Sequence, residues 1–263
     1  MSTTFLEKVI AETRERVAAT REFAYFDKLL KVAEKRQAES EPNRFHAALS
    51  ISDRTNIIAE IKRASPSKGV IKANIDVAKL ARSYAAGGAA AISVLTEPNH
   101  FDGSISDLVA ATRAVDIPTL RKDFIVDEYQ IVEAAAAGAS AILLIVAALS
   151  ADELATLHAK ATEFGLDVLV EVHDAPEMHK AIDLGASIIG VNNRNLHSLE
   201  VSLETSRKLI KMRPETTLMV AESGLTSRDE IDELKALGYN AFLIGETLMR
   251  SPDVAETLRG LSQ

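Results

Sequence analysis

Polar and apolar positions alternate along this chain in one recurring way: a helix-like stretch ends at a glycine, and an apolar run begins within a few residues. Gly88, Gly138, Gly185 and Gly238 each stand at such a junction, within 86–92, 137–142, 184–189 and 237–242. A glycine there supplies a left-handed helix end, and the apolar run reads as a buried strand. The four junctions recur about every 50 residues, and one βα unit takes roughly 25–30 residues, so each interval holds two units. The glycine-preceded strands are then the second, fourth, sixth and eighth. The odd strands fall near 56–61, 117–121, 167–171 and 217–221. Eight strands alternating with helices predict a closed α/β barrel, a single (β/α)8 architecture of the TIM-barrel type.

Helix starts agree with this frame. Ser150 with Glu153 and Ser227 with Glu230 have the capping-box spacing, and Asp174 with Glu177 has similar chemistry. Before the first strand, residues 3–20 read as an amphipathic helix. The segment 29–41 is highly charged, the chain breaks at 42–44, and 45–49 reads as another short helix. The expectation is one domain over 1–263, with a helical extension at 1–50 and the barrel at 51–263. The extension has too few apolar residues for a core of its own. Its pattern leaves open whether it covers the bottom of the barrel or leans over the top.

Several apolar runs end in polar clusters. They are 57–67, 117–124, 168–174, 188–196, 218–224 and 242–249, and a parallel barrel gathers all its strand ends at one face. Glu60 and Lys62 share one face of their strand. The loop from Ser65 to Gly69 offers hydroxyls, a cation and a glycine to an anion. Lys122 at a barrel neck suits a general acid if burial lowers its pKa. Glu171 is a lone acid among β-branched residues, which packing does not explain. His173 reads as a loop histidine engaged with another partner. Asn192 to Asn195 offer amides and a guanidinium for hydroxyls and carboxylates. Ser223–Gly224 and Gly245–Glu246 end the last two strands, where barrels commonly hold phosphate on main-chain N–H groups. Counted together, Lys62, Arg63, Lys68, Arg121, Lys122 and Arg194 outnumber Glu60, Asp123, Glu171 and Glu246, which predicts a positive rim suited to an anionic substrate.

Composition narrows the classes. The 263 residues carry a net charge of −8, which argues against a general nucleic-acid binder. There is no cysteine, so no disulfide or thiolate chemistry is expected. Histidine spacing fits no zinc motif, and no metal is predicted. The longest apolar runs are too short to span a bilayer. The N-terminal stretch mixes acids and bases and lacks the apolar centre of a signal peptide, so a cytoplasmic location is expected.

The ordered motifs carry a resemblance. They are Ala59-Glu60-Ile61-Lys62-Arg63-Ala64-Ser65-Pro66-Ser67, Val94-Leu95-Thr96-Glu97, Phe101-Asp102-Gly103-Ser104, Leu120-Arg121-Lys122-Asp123-Phe124, Leu169-Val170-Glu171-Val172-His173, Gly190-Val191-Asn192-Asn193-Arg194-Asn195-Leu196, Ala221-Glu222-Ser223-Gly224 and Gly245-Glu246. Together, from the first helix to about residue 250, the chain resembles the indole-3-glycerol phosphate synthase family. The resemblance implies a phosphosugar substrate, 1-(2-carboxyphenylamino)-1-deoxyribulose 5-phosphate, closed to an indole with loss of carbon dioxide and water. It implies that Lys122 is the general acid and Glu171 the base, with Lys62 neutralising charge and Glu60 orienting the lysines. Asn192 and Arg194 would hold the substrate's hydroxyls and anthranilate end, and Ser223 would position the intermediate. Ser65 would meet the carboxylate, and Phe101 and Phe124 would flank the ring. Gly224, Gly245 and Glu246 would take the phosphate on their N–H groups. No cofactor is expected. The expected state is a monomer, with association with other tryptophan-pathway enzymes open to it. Two rival readings share the fold: another phosphosugar barrel enzyme, such as an isomerase, and a barrel kept as a scaffold.

Overall fold

A computed structural model describes residues 4–23, 26–196 and 198–262. Eight parallel strands close a barrel: β1 (Asn56–Ile61), β2 (Ala91–Leu95), β3 (Thr119–Lys122), β4 (Ala141–Ile145), β5 (Asp167–Val172), β6 (Ile188–Asn192), β7 (Leu218–Glu222) and β8 (Ala241–Ile244). Each strand pairs with its sequence neighbours, and β8 closes onto β1. The predicted strands are all present. Gly88, Gly138, Gly185 and Gly238 all take positive φ, as the junction pattern requires. Both predicted capping boxes form reciprocally, and Asp174 accepts the Glu177 N–H.

Two apolar layers follow from the alternation of side chains along each strand. Outward residues such as Ile57, Ile92, Ile142, Val170 and Phe242 pack under the surrounding helices. Inward residues form a separate core inside the barrel. Its floor is Ile58, Leu120, Leu169 and Val220, one from each odd strand, joined by Leu143, Ile188 and Leu243.

The N-terminal extension holds both ends of the barrel. It comprises α1 (Phe5–Phe23), α2 (Phe26–Glu39) and α3 (Arg44–Leu49). Residue 3, where the amphipathic pattern begins, lies outside the described residues. The charged 29–41 segment is helical in α2, which lays Ala33 against the helix Glu128–Ala137. At the bottom, Phe45 and Leu49 of α3 are fully buried in the inner core. Asp167 at the start of β5 accepts the N–H groups of Phe45 (2.9 Å) and His46 (3.0 Å), fixing the first turn of α3. Asn56 at the start of β1 donates to the carbonyls of Leu49 and Ile51, both at 2.9 Å. At the top, α1 leans over the mouth through ion pairs of Arg14 with Glu153 (2.7 Å) and Arg21 with Asp127 (2.8 Å) and a hydrogen bond between His100 and Glu12 (2.7 Å). The Phe5 ring meets His100 edge-on at 5.2 Å. Among the described residues, no helix is long and apolar enough to cross a membrane.

Because Phe45 plugs the barrel floor, Phe45→Ala is expected to cost about 3–5 kcal/mol, the usual scale for emptying a buried aromatic site. Urea unfolding of the two proteins measures this difference.

Candidate active site

Two residues beyond the floor, the same odd strands present charge: Glu60 on β1, Lys122 on β3, Glu171 on β5 and Glu222 on β7. Successive inward positions on a strand are two apart, so each charged group stands directly above an apolar floor residue. Lys62 follows Glu60 at the next inward position, and its Nζ lies 2.7 Å from Glu60 Oε1. Lys122 Nζ sits 3.1 Å from Glu171 Oε2 and 3.6 Å from Glu222 Oε2. Asn192 at the end of β6 donates to Glu171 Oε1 at 3.1 Å.

Above this layer opens a cavity of about 830 Å³. Every residue predicted for the site lines it: Glu60, Lys62, Ser65, Phe101, Lys122, Phe124, Glu171, Asn192, Arg194, Ser223, Gly224, Gly245 and Glu246. Phe101 and Phe124 have ring centroids 6.2 Å apart at 43°, in direct contact with each other. They form a single aromatic wall. Across the mouth, Ser223 and Gly224 both take positive φ, at 66° and 83°. That conformation is uncommon for serine. Asn193 holds it by donating to the Ser223 carbonyl at 3.1 Å. Thr247 donates to the Leu225 carbonyl at 3.0 Å and ties the loops after β7 and β8 together. The Glu246 carboxylate accepts from Arg250 at 3.1 Å and lies 3.9 Å from Lys68. Phe5 and Leu6 of α1 complete the roof.

Two glycines make room for the acids. A Cβ at 245 would stand 2.5 Å from Glu60 Oε1, and a Cβ at 190 would occupy the place of Glu222 Oε1. Gly245 therefore clears space for a buried carboxylate.

Several expectations are corrected. Arg121 is not at the mouth. It points outward from β3, 1% exposed, and binds Asp123 (3.1 Å), Glu133 (2.8 Å) and the Gln130 carbonyl (2.7 Å). Arg63 turns away to grip Asp107. The cavity lining sets Lys62, Lys68, Lys122, Arg194 and Arg250 against Glu60, Asp123, Glu171 and Glu246, with Glu222 pushed toward its neutral form. The predicted positive excess shrinks to one charge. Burial does not lower the Lys122 pKa. It works in that direction, but Glu171, Glu222 and Glu60 outweigh it and hold the ammonium well above its ordinary value. Asn193 is structural: besides Ser223 it receives the Ser206 hydroxyl at 2.8 Å. Arg194 donates to the Leu199 carbonyl at 2.9 Å while lining the cavity. His173 does have other partners, Glu177 at 3.0 Å and Glu171 at 3.3 Å.

Glu222 is the residue that sequence reasoning left without a role. Its signal was available: Ile58/Glu60, Leu120/Lys122, Leu169/Glu171 and Val220/Glu222 repeat one apolar–x–charged pattern on alternate strands. Its Oε1 is buried with no partner. Burial and the neighbouring Glu171 raise its pKa far above the carboxylate range, with Lys122 opposing.

A family model described as indole-3-glycerol phosphate synthase matches residues 6–261. The chain belongs to that family. An indole-3-glycerol phosphate synthase of Koribacter versatilis is 50% identical over 263 residues, covering 99% of each chain. One from Laribacter hongkongensis is 45% identical over 97% of this chain and 98% of its own. Among solved structures, a thiamine phosphate pyrophosphorylase from Pyrococcus furiosus has a TM-score of 0.58 at 19% identity, covering 79% of this chain and 93% of that one. KGPDC from Streptococcus mutans has a TM-score of 0.60 at 15% identity, covering 79% and 95%. At such identities the two structures share the fold alone. Family membership accounts for the ordered strand-end motifs, and the charged layer is where those motifs meet.

A carboxyl group that holds its proton longer when folded makes the folded state bind more protons than the unfolded one. Stability from that group is present at low pH and falls as pH rises through its folded pKa. Relative to Glu222→Gln, the unaltered protein should lose stability as pH climbs above the ordinary carboxylate range, by up to about 1.4 kcal/mol per pH unit. Paired urea titrations at several pH values check the sign and slope.

Proposed function

We propose that the chain closes 1-(2-carboxyphenylamino)-1-deoxyribulose 5-phosphate to indole-3-glycerol phosphate, carbon dioxide and water, as a carboxy-lyase of tryptophan biosynthesis. The observation that carries this reading is the placement of Lys122 between Glu171 and Glu222, beneath a cavity with an aromatic wall on one side and two glycine-containing loops on the other.

The substrate's needs match that layout. Attack of the ring carbon on the ketose carbonyl builds charge on oxygen, and a charged donor fixed beneath it lowers the barrier. Lys122 takes that role as general acid. Its carboxylate neighbours keep it protonated but also make it a weaker acid, so it donates a charged hydrogen bond first and gives up its proton as negative charge builds on the oxygen. Carbon dioxide then leaves from the carbon that formed the new bond, and aromaticity returns without an electron-sink cofactor. Loss of the former carbonyl oxygen as water requires removal of a proton from the adjacent carbon, for which Glu171 is the base. Lys62, held by Glu60, offsets charge on the closing intermediate and shares the proton traffic. Asn192 and Arg194 hold the hydroxyls and anthranilate end, and Ser223 positions the intermediate. Ser65 meets the carboxylate, and Phe101 with Phe124 supports the ring. Gly224, Gly245 and Glu246 take the phosphate on main-chain N–H groups. Anchoring both ends bends a flexible molecule into reach of itself, which converts binding into proximity.

The N-terminal helices and barrel act as one domain in this reading. The protein works as a cytoplasmic monomer, with association with other enzymes of the pathway open to it.

Lys122→Ala and Glu171→Gln should each lower turnover at least about a hundredfold, the scale for deleting an acid or base. Indole fluorescence on addition of the carboxyphenylamino substrate reports product. Near-full turnover by both variants would overturn these roles. An unaltered chain that yields no indole would overturn the reaction itself.

A further inference from the structure

Glu171 and Glu222 confront the same ammonium and lie within hydrogen-bonding reach of each other. Two buried carboxyl groups so placed do not both ionise freely, and one retains a proton. Which one retains it depends on what else each touches. Glu171 Oε1 receives the Asn192 amide and faces His173 Nε2 at 3.3 Å. Glu222 Oε1 has no partner and rests against Gly190.

His173 is the charged group that tells the two acids apart. It follows β5 directly and lies behind Glu171, outside the large cavity. Glu177 Oε2 accepts the His173 main-chain N–H at 2.8 Å and lies 3.0 Å from the ring Nδ1. Nδ1 is hydrogen-bonded to Glu177, while Nε2 lies 3.3 Å from Glu171 Oε1 without a hydrogen bond, so a carboxylate stands at each ring nitrogen and the pair favours the imidazolium. Burial opposes that charge, but Glu171 and Glu177 carry the pKa up to about 10. The other charged groups around it line the small cavity beside the ring: Glu7 of α1, Asp174 and Arg194. Asp174 is engaged in capping the next helix.

We propose that His173, clamped by Glu177, is a positioning residue that keeps Glu171 ionised and leaves the shared proton on Glu222. The proposal rests on the ring-closure reading for its consequence. A base must keep a free lone pair at working pH, and Glu171 has one only if its neighbour holds the proton. His173 reaches no reacting atom and acts through Glu171 alone.

Two measurements test this. The first is the pH profile of turnover for the unaltered protein, His173→Gln and Glu177→Gln. His173→Gln should move the acidic limb upward by about one to three units, the effect of removing a neighbouring opposite charge. Below the shifted limb, turnover should fall about one decade per unit relative to the unaltered protein, with KM and neutral-pH turnover little changed. Glu177→Gln should move the limb in the same direction by less. A purely structural role would leave the limb in place, and an unmoved limb in a folded His173→Gln protein overturns the proposal. The second is nitrogen NMR of the unaltered protein, with the His173 signal assigned by its loss in His173→Gln or by site-specific labelling. The ring should remain doubly protonated through neutral pH. Titration at or below the ordinary value of about 6.5 overturns the proposal even if the variant fails to fold. Absence of indole from the unaltered protein would sink the ring-closure reading instead, and the NMR titration would still decide where the charge resides.

Discussion

Three carboxylates and two ammonium groups stand on an apolar floor inside a closed barrel, and each has little water to solvate it. Glu60, Glu171 and Glu222 are 4%, 1% and 1% exposed. Desolvated charges persist only when they compensate one another, and removing a partner leaves the remainder costly. Each charge arrives on a different strand, so their compensation depends on the barrel's register. β3 makes the point most sharply. It carries Arg121 and Lys122 in succession, one facing the helices and one facing the mouth. A shift of one residue would exchange them and strand Asp123, Glu133, Glu171 and Glu222 at once.

Space imposes a matching demand. Carboxylates inside a narrow barrel need neighbouring strands to give way. β6 supplies Gly190 beside Glu222, and the end of β8 supplies Gly245 beside Glu60. Odd strands thus bring charge where even strands bring emptiness. The same Gly245 opens the loop that the proposed reaction uses for phosphate, so its missing side chain serves two purposes within one residue.

The barrel was legible because its signal repeats. A helix, a left-handed glycine and an apolar run recur four times, and local chemistry is enough to read each one. The mouth residues were legible where polarity interrupts a β-branched run, as at Glu171. Glu222 is masked by the Ser223–Gly224 turn that follows it, although Val220 and Glu222 repeat the spacing of Leu169 and Glu171. Inward and outward cations on β3 cannot be separated by counting charge, so composition alone overstates the positive rim. The direction of the Lys122 shift is illegible for the same reason, because it depends on acids from three other strands that sequence does not place beside it. The extension's position was beyond the pattern for a similar reason. Phe45 and Leu49 look like any short apolar pair until Asp167 and Asn56, more than a hundred residues apart, are brought to the same end of the barrel.

An acidic inner layer and an anionic substrate look opposed, and the location of one proton reconciles them. With Glu222 neutral, Glu60 and Glu171 are balanced by Lys62 and Lys122, and the layer carries no net charge. The uncharged ketose portion of the proposed substrate belongs above that layer, where only local donors and acceptors matter. The anionic ends belong farther out, toward Lys68, Arg194 and Arg250, where the cavity opens to solvent. Ionising Glu222 would place a net negative charge directly beneath the oxygen on which negative charge develops. A proton held on the least-partnered of three acids therefore joins the electrostatics of folding to those of the proposed chemistry, because the arrangement that makes the layer tolerable to bury also makes Lys122 an effective donor.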